Sequence, residues 1–254
     1  MKQDDDQRIG EAPEEPSVEL PGGGGISHRP IQFFFLVDAS GSMAGRKIES
    51  LNHAIREAVP AMRKAADANP GVRVEVRALR FSDGAQWHMP GAMDVNDFEW
   101  VDIADPDGLT SLGEALRLLA PELDVPPLPE KTKPPVIVLV SDGHPTDQWK
   151  SGLAELLAKP WGQKSIRLAV GVGDDVDMEA LHEFMGGNPE LKPLQATDAP
   201  TLIRYMKWAS TVGVASSSAP QRARAGAAAE AVDQRLVVPP APVPADQVKP
   251  EDVF

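Results

Sequence analysis

The chain has no cysteine among its 254 residues. Disulfides, thiolate zinc sites and a cysteine nucleophile are therefore excluded, and a reducing compartment is compatible with the composition. No apolar run reaches the length of a membrane span. The opening MKQDDDQRIGEAPEEP is acidic and polar, without the apolar stretch of a secretory signal, so no export is expected. Positive charge is also scarce: 25 Lys and Arg stand against 38 Asp and Glu, a formal net charge of -13. No basic patch is available to neutralise phosphates, which argues against a general nucleic-acid binder. A soluble, cytoplasmic protein with neither a membrane nor a nucleic-acid partner is the expectation. No P-loop and no G-x-G-x-x-G follows a predicted strand. Ser40 follows Asp38 and Ala39, so the nucleophile-elbow pattern of serine hydrolases is missing as well.

What is present centres on Phe33 to Ser42, FFFLVDASGS. An apolar run of this kind reads as a strand buried on both faces of a sheet, expected over Ile31 to Val37. It ends in Asp38, Ser40 and Ser42 beside Gly41, one carboxylate and two hydroxyls at alternate positions of a sharply turning loop. Oxygen donors suit a hard cation, Mg²⁺ or Mn²⁺. Singly, each of these residues has another use, since Asp38, Ser40 or Ser42 can cap a following helix.

Further along, Ile48, Leu51, Ile55, Val59 and Met62 form a helical stripe, with Pro60 expected to bend the helix or loosen its bond to Arg56. Val72 to Phe81 alternates at period two, as a strand near a sheet edge does. Asp83-Gly84 is a hairpin turn leading to an antiparallel return strand over Ala85 to Met89. Gly108 to Ala120 predicts a helix with Ser111 and Glu114 as a capping box. The Pro-rich segment from Pro121 to Pro135 reads as a surface connection. VIVLV, Val136 to Val140, is a second buried strand, and SDGHPTD follows it. Asp147 in that loop is expected to cap a helix starting near Trp149, and His144 to be an exposed loop histidine. A strand over Ile166 to Val172, a helical face from Met178 to Met185, a short strand at Pro193 to Gln195 and a last helix over Thr201 to Ser210 complete the pattern.

Alternating strands and helices imply an α/β fold: a doubly wound, mostly parallel central sheet with one antiparallel edge strand and helices on both faces. The organisation expected is a flexible acidic, Gly-rich lead over 1–30, one domain over 31–214, and a disordered Ala/Pro-rich tail over 215–254. Sites in such sheets form beyond the carboxyl ends of the strands. Asp38 to Ser42 and Asp142 lie at two such ends, and Thr110 lies at a loop-to-helix junction.

Asp38, Ser40, Ser42, Thr110 and Asp142 together match the three-part motif of von Willebrand factor A (VWA) domains with a metal-ion-dependent adhesion site (MIDAS). The chain resembles that family over roughly Ile31 to Ser210. Within it, FFFLVDASGSMAG, TSLGEAL, VSDGHPTD and YMKWAS are most similar to the bacterial tellurium-resistance-associated, TerY-like VWA proteins. One position departs from the pattern: where two glycines often precede the threonine, this chain has Gly108 and then Leu109. The resemblance implies a VWA/Rossmann-like fold and a non-enzymatic binding module. It implies that Ser40, Ser42 and, in one state, Thr110 contact Mg²⁺ (or Mn²⁺) directly, while Asp38 and Asp142 act directly or through water. A Glu or Asp of a partner protein would then complete the coordination. TerY-like proteins are associated with a kinase and a PP2C-type phosphatase, which makes these the partners implied. Two alternatives stand beside this. One is a VWA adaptor of an AAA-type ATPase. The other is a Mg²⁺-dependent phosphoryl-transfer hydrolase, disfavoured because Ser40 occupies the place where such a site carries its second carboxylate.

Overall fold

A computed structural model describes residues 29–218 apart from 70, 90, 131 and 188–191. The expected lead up to residue 28, and the tail beyond residue 218, lie outside the described residues, while residues 29 and 30 of that lead belong to the first strand.

Strand β1 (Arg29–Asp38) sits at the centre. On one side it pairs in parallel with β2 (Val72–Phe81), on the other with β5 (Val136–Ser141). Beyond β5 lie β6 (Ile166–Val172) and β7 (Leu194–Ala196), both parallel. The opposite edge is antiparallel: β3 (Ala85–Trp87) pairs with Leu79 to Phe81 of β2, and β4 (Met93–Asp94) with Glu75 and Val76 farther down the same strand. The strand order is 3-2-1-5-6-7, so the direction of winding reverses between β1 and β5. Their carboxyl ends, carrying Asp38 and Asp142, therefore meet at the crevice where doubly wound sheets bind ligands.

Why β1 is central follows from its side chains. Successive residues of a strand face opposite ways, and here both faces are apolar. Phe33, Phe35 and Val37 pack with Ile48, Leu51 and Ile55 of α1 (Arg46–Asp67) and with Leu202 and Met206 of α5 (Ala199–Ser218). Phe34 and Leu36 pack on the other side with Leu116 of α2 (Leu112–Leu119), Leu156 of α3 (Trp149–Leu157) and Phe184 of α4 (Met178–Phe184). All five β1 residues are buried to within 1 %. Each contributes about 2 kcal/mol relative to an exposed position, which holds the strand in register beneath the site.

Several elements differ from expectation. Helix α1 runs unbroken to Asp67, with Pro60 on its exposed side and the predicted stripe buried. Helix α2 starts only at Leu112 and passes at Ala120 into a 3-10 turn ending at Leu123. Leu123 and Leu128 are buried, so the Pro-rich connection is anchored in the core. Helix α5 extends to Ser218, past the boundary at 214. Its Lys207 bonds Glu57 of α1 at 2.8 Å. No helix among the described residues is long and apolar enough to cross a membrane.

Candidate metal centre

Asp38 closes β1 in register with Phe81 and is fully buried. A buried carboxylate has to be hydrogen-bonded, and both oxygens of Asp38 are. One accepts from the Ser40 backbone N–H at 2.9 Å, closing a tight turn, and the other from the Ser141 hydroxyl at 2.5 Å. Burial pushes this carboxyl above its usual range and Asp142 pushes the same way, opposed by the bonds from Ser141 and Ser40. The hydroxyls that follow the turn are hydrogen-bonded in sequence. Ser40 Oγ and Ser42 Oγ are 3.1 Å apart, and Ser42 Oγ donates to Asp142 Oδ1 at 2.8 Å. The Ser40 side chain makes no helix-capping bond to the short 3-10 turn that follows it. Thr110 joins from a third loop: a Cβ placed on Gly143 would meet Thr110 Oγ1 at 3.4 Å and Ser42 Oγ at 3.7 Å. Three separate loops thus bring the side chains of all five predicted residues to one place.

The loop carrying Thr110 is held from both sides. Asp83 of the hairpin turn accepts from the Leu109 N–H at 2.8 Å, and Ser82 O from the Ser111 N–H at 2.9 Å. Across the site, the Gly41 N–H donates to Gly108 O at 3.1 Å. Within this loop Gly108 takes positive φ, +81°, and a Cβ there would lie 2.6 Å from the Asp83 carboxylate. Leu109 keeps ordinary backbone angles and is 59 % exposed. The missing second glycine is accommodated for that reason: only position 108 requires one.

The SDGHPTD loop supplies the other clamp, and here two expectations are corrected. The Ser111 side chain makes no capping bond to α2. Instead Asp147 caps α2: its two carboxylate oxygens accept from the N–H groups of Gly113 and Glu114 at 2.9 and 3.0 Å. Asp147 serves α3 only through its backbone carbonyl, which accepts from Trp149 N–H at 2.9 Å. Thr146 adds a reciprocal pair with Thr110, N–H to carbonyl at 2.9 Å and hydroxyl from N–H at 3.1 Å. The loop bearing Asp142 therefore positions Thr110. His144 is 63 % exposed and contacts Asp177, whose carboxylate caps α4 through Ala180 N–H at 2.9 Å.

Lys47, which the sequence reading did not single out, reaches the centre from the first turn of α1 and pairs with Asp142 Oδ2. The ensemble is two carboxylates, three hydroxyls and one ammonium. Among the described residues no group of three or more His, Cys, Asp or Glu could hold a metal, so any ion here would depend on hydroxyl oxygens. Such all-oxygen sets fit hard divalent cations.

Residues 33–144 match the family described as von Willebrand factor type A domain. The fold is that of a VWA domain. Similar solved structures agree at low sequence identity. A von Willebrand factor type A protein from Catenulispora acidiphila is 14 % identical, with TM-score 0.54 over 73 % of this chain and 43 % of that one. Proximal thread matrix protein 1 from the mussel byssus, in a structure with a zinc-occupied MIDAS motif, is 16 % identical, with TM-score 0.52 over 74 % and 46 %. The pilus adhesin SpaC from Lactobacillus rhamnosus GG is 15 % identical, with TM-score 0.55 over 73 % and 31 %. The chain spans less than half the length of these proteins. No curated protein matches the chain.

Proposed function

We propose that this VWA domain is a metal-dependent protein-binding module in which Asp38, Ser40, Ser42, Thr110 and Asp142 hold Mg²⁺, with Mn²⁺ as the alternative ion. The observation that carries the reading is the hydrogen-bonded run from the Ser141 hydroxyl to Asp38, from Asp38 to the Ser40 backbone N–H, and from the Ser40 hydroxyl through Ser42 to Asp142, with Thr110 beside it. Such a chain gathers negative charge in a buried crevice without forming a catalytic pair. The zinc-occupied MIDAS of the mussel protein lends support by analogy of fold. When bound, the ion supplies an electrophilic position that a carboxylate of a partner can take. This chain's residues provide the rest: Asp38 and Ser141 fix the loop, and Thr146 and Asp147 fix Thr110. Motif similarity to the TerY-like proteins makes a kinase and a PP2C-type phosphatase the leading partners in a scaffold or adaptor role. An AAA-type ATPase is the alternative.

The test uses purified full-length chain, wild type and Ser40→Ala/Ser42→Ala, with Mn²⁺ binding followed by the loss of the free-ion EPR signal. The same samples are then used to capture the purified candidate kinase and phosphatase in Mg²⁺ and in chelator. Wild type should bind the ion and capture a partner only with metal, and the variant should do neither. Equal capture in all four samples would refute a metal-bridged interface.

A further inference from the structure

Lys47 is an odd residue for its place. It stands with Arg46 in the first turn of α1, where the helix dipole disfavours cations and favours acids. The N-cap position is Gly45, which has no side chain to cap the turn, and Glu49 is the one acid of that turn. The Lys47 side chain is 26 % exposed, yet its ammonium lies on Asp142, whose side chain is 0 % exposed. Room for it is left by Gly173 at the end of β6, where φ is +97° and a Cβ would stand 3.2 Å from Lys47 Cε and 3.4 Å from Nζ. The other oxygen of Asp142 already accepts from Ser42. Asp38 receives only neutral donors. Lys47 is thus the cation that compensates Asp142.

We infer that Lys47 is a tethered counter-ion that competes with the divalent cation for Asp142 and sets the metal affinity of the site. Two buried carboxylates side by side are costly without positive charge. The ammonium neutralises Asp142 when no ion is bound, which keeps the loops assembled. A divalent ion binding there displaces Nζ from Asp142 Oδ2, and the flexible, partly exposed stem lets the ammonium swing toward solvent. Metal binding is weakened by the free energy of the broken ion pair, while the metal-free fold is protected by it.

The inference rests on the metal reading proposed above, and the test separates the two. Mn²⁺ dissociation constants at constant pH and ionic strength are measured for full-length wild type, Lys47→Met, Lys47→Arg and the Ser40→Ala/Ser42→Ala control, together with melting temperatures in chelator. Lys47→Met should bind Mn²⁺ roughly tenfold or more tightly, the scale of one charge-assisted hydrogen bond to a buried carboxylate. It should also melt below wild type in chelator and regain the difference in saturating Mn²⁺. Lys47→Arg, which keeps the charge, should stay within about threefold of wild type, well short of the tenfold steps that separate distinct affinities. If Lys47→Met does not fold, Lys47→Gln takes its place. Equal or weaker binding by the neutral variant, with wild-type binding intact, overturns the competition and leaves the metal site standing. Absence of Mn²⁺ binding by wild type overturns both.

Discussion

Removing the Asp147 carboxylate should cost more than its position in a loop would indicate. In Asp147→Ala, the N–H groups of Gly113 and Glu114 lose acceptors now at 2.9 and 3.0 Å. Ser111, at the N-cap position, offers no side-chain replacement. Loss of an N-cap costs about 0.5–2 kcal/mol, and the negative charge at the helix start adds about 0.3–1 kcal/mol. Both N–H groups lose a charged acceptor here, so a total of about 2 kcal/mol is expected. For a domain of this size that is a fall of about 4–8 °C in melting temperature. Asp147→Asn, which keeps one acceptor oxygen, should lose about half as much. The assay is urea unfolding at neutral pH, followed by circular dichroism and tryptophan fluorescence, with Ser111→Ala as the comparison. If Ser111→Ala proves the more destabilising of the two, the local capping box operates in solution and the long-range cap described here is refuted. Because Thr146 and Asp147 both hold the Thr110 segment, Asp147→Ala should also weaken Mn²⁺ binding, whereas an equally destabilising change on the far side of the sheet should not.

Helices α2 and α3 cross at two glycines, and a Cβ on Gly152 would stand 2.6 Å from Gly113 O and 3.0 Å from its Cα. Those are backbone atoms that cannot rotate away, so Gly152→Ala should cost about 1–3 kcal/mol in urea unfolding; a loss below about 0.5 kcal/mol would mean that the helices separate freely there. The Asp177 carboxyl is held below its usual value of 3.8, first by the Ala180 N–H and further by His144. Its cap therefore contributes fully above pH 3.8 and fades as pH falls through the lower folded value. Asp177→Ala should lose about 1 kcal/mol at pH 7, with the gap to wild type closing in strong acid; a gap independent of pH would assign the effect to packing and not to the charge.

The fold was legible wherever the local pattern had a single physical solution. FFFLV and VIVLV can satisfy neither face in water, so they had to become central strands, and both did. VRVEVRALRF keeps one charged face because only the short β3 and β4 lie beyond it. The Asp83-Gly84 pair predicted the hairpin, but nothing in the sequence announced β4, whose two residues show no periodicity of their own. The ends of helices were harder. Ser111 and Glu114 have the spacing of a capping box, but an acceptor 34 residues away in sequence takes the N–H groups instead. A carboxylate already held in place by the β5–α3 turn gives up little entropy on binding them, whereas a serine rotor must first be ordered. Local signals name the groups that need a partner, and tertiary structure decides which partner arrives.

The same division runs through the centre itself. Asp38, Ser40, Ser42 and Asp142 could be picked out as oxygen groups at strand ends and Thr110 as one at a loop-to-helix junction, and the resemblance to the VWA motif singled out the five together. Their supports could not: Ser141, Thr146, Asp83 and Asp147 look like ordinary loop residues until the chain folds. Lys47 is the extreme case, since a lysine in an amphipathic helix normally reads as part of its solvated face. One sequence signal was present. Two consecutive cations follow Gly45 in the first helical turn, against the preference set by the dipole, and a residue placed against its local preference is there for a longer-range partner. That partner is Asp142. Asp142 and Asp38 raise each other's energy, and Asp38 has only neutral donors, so a single ammonium leaves the crevice still short of positive charge. On the metal reading proposed above, that shortfall is what a bound divalent ion would relieve.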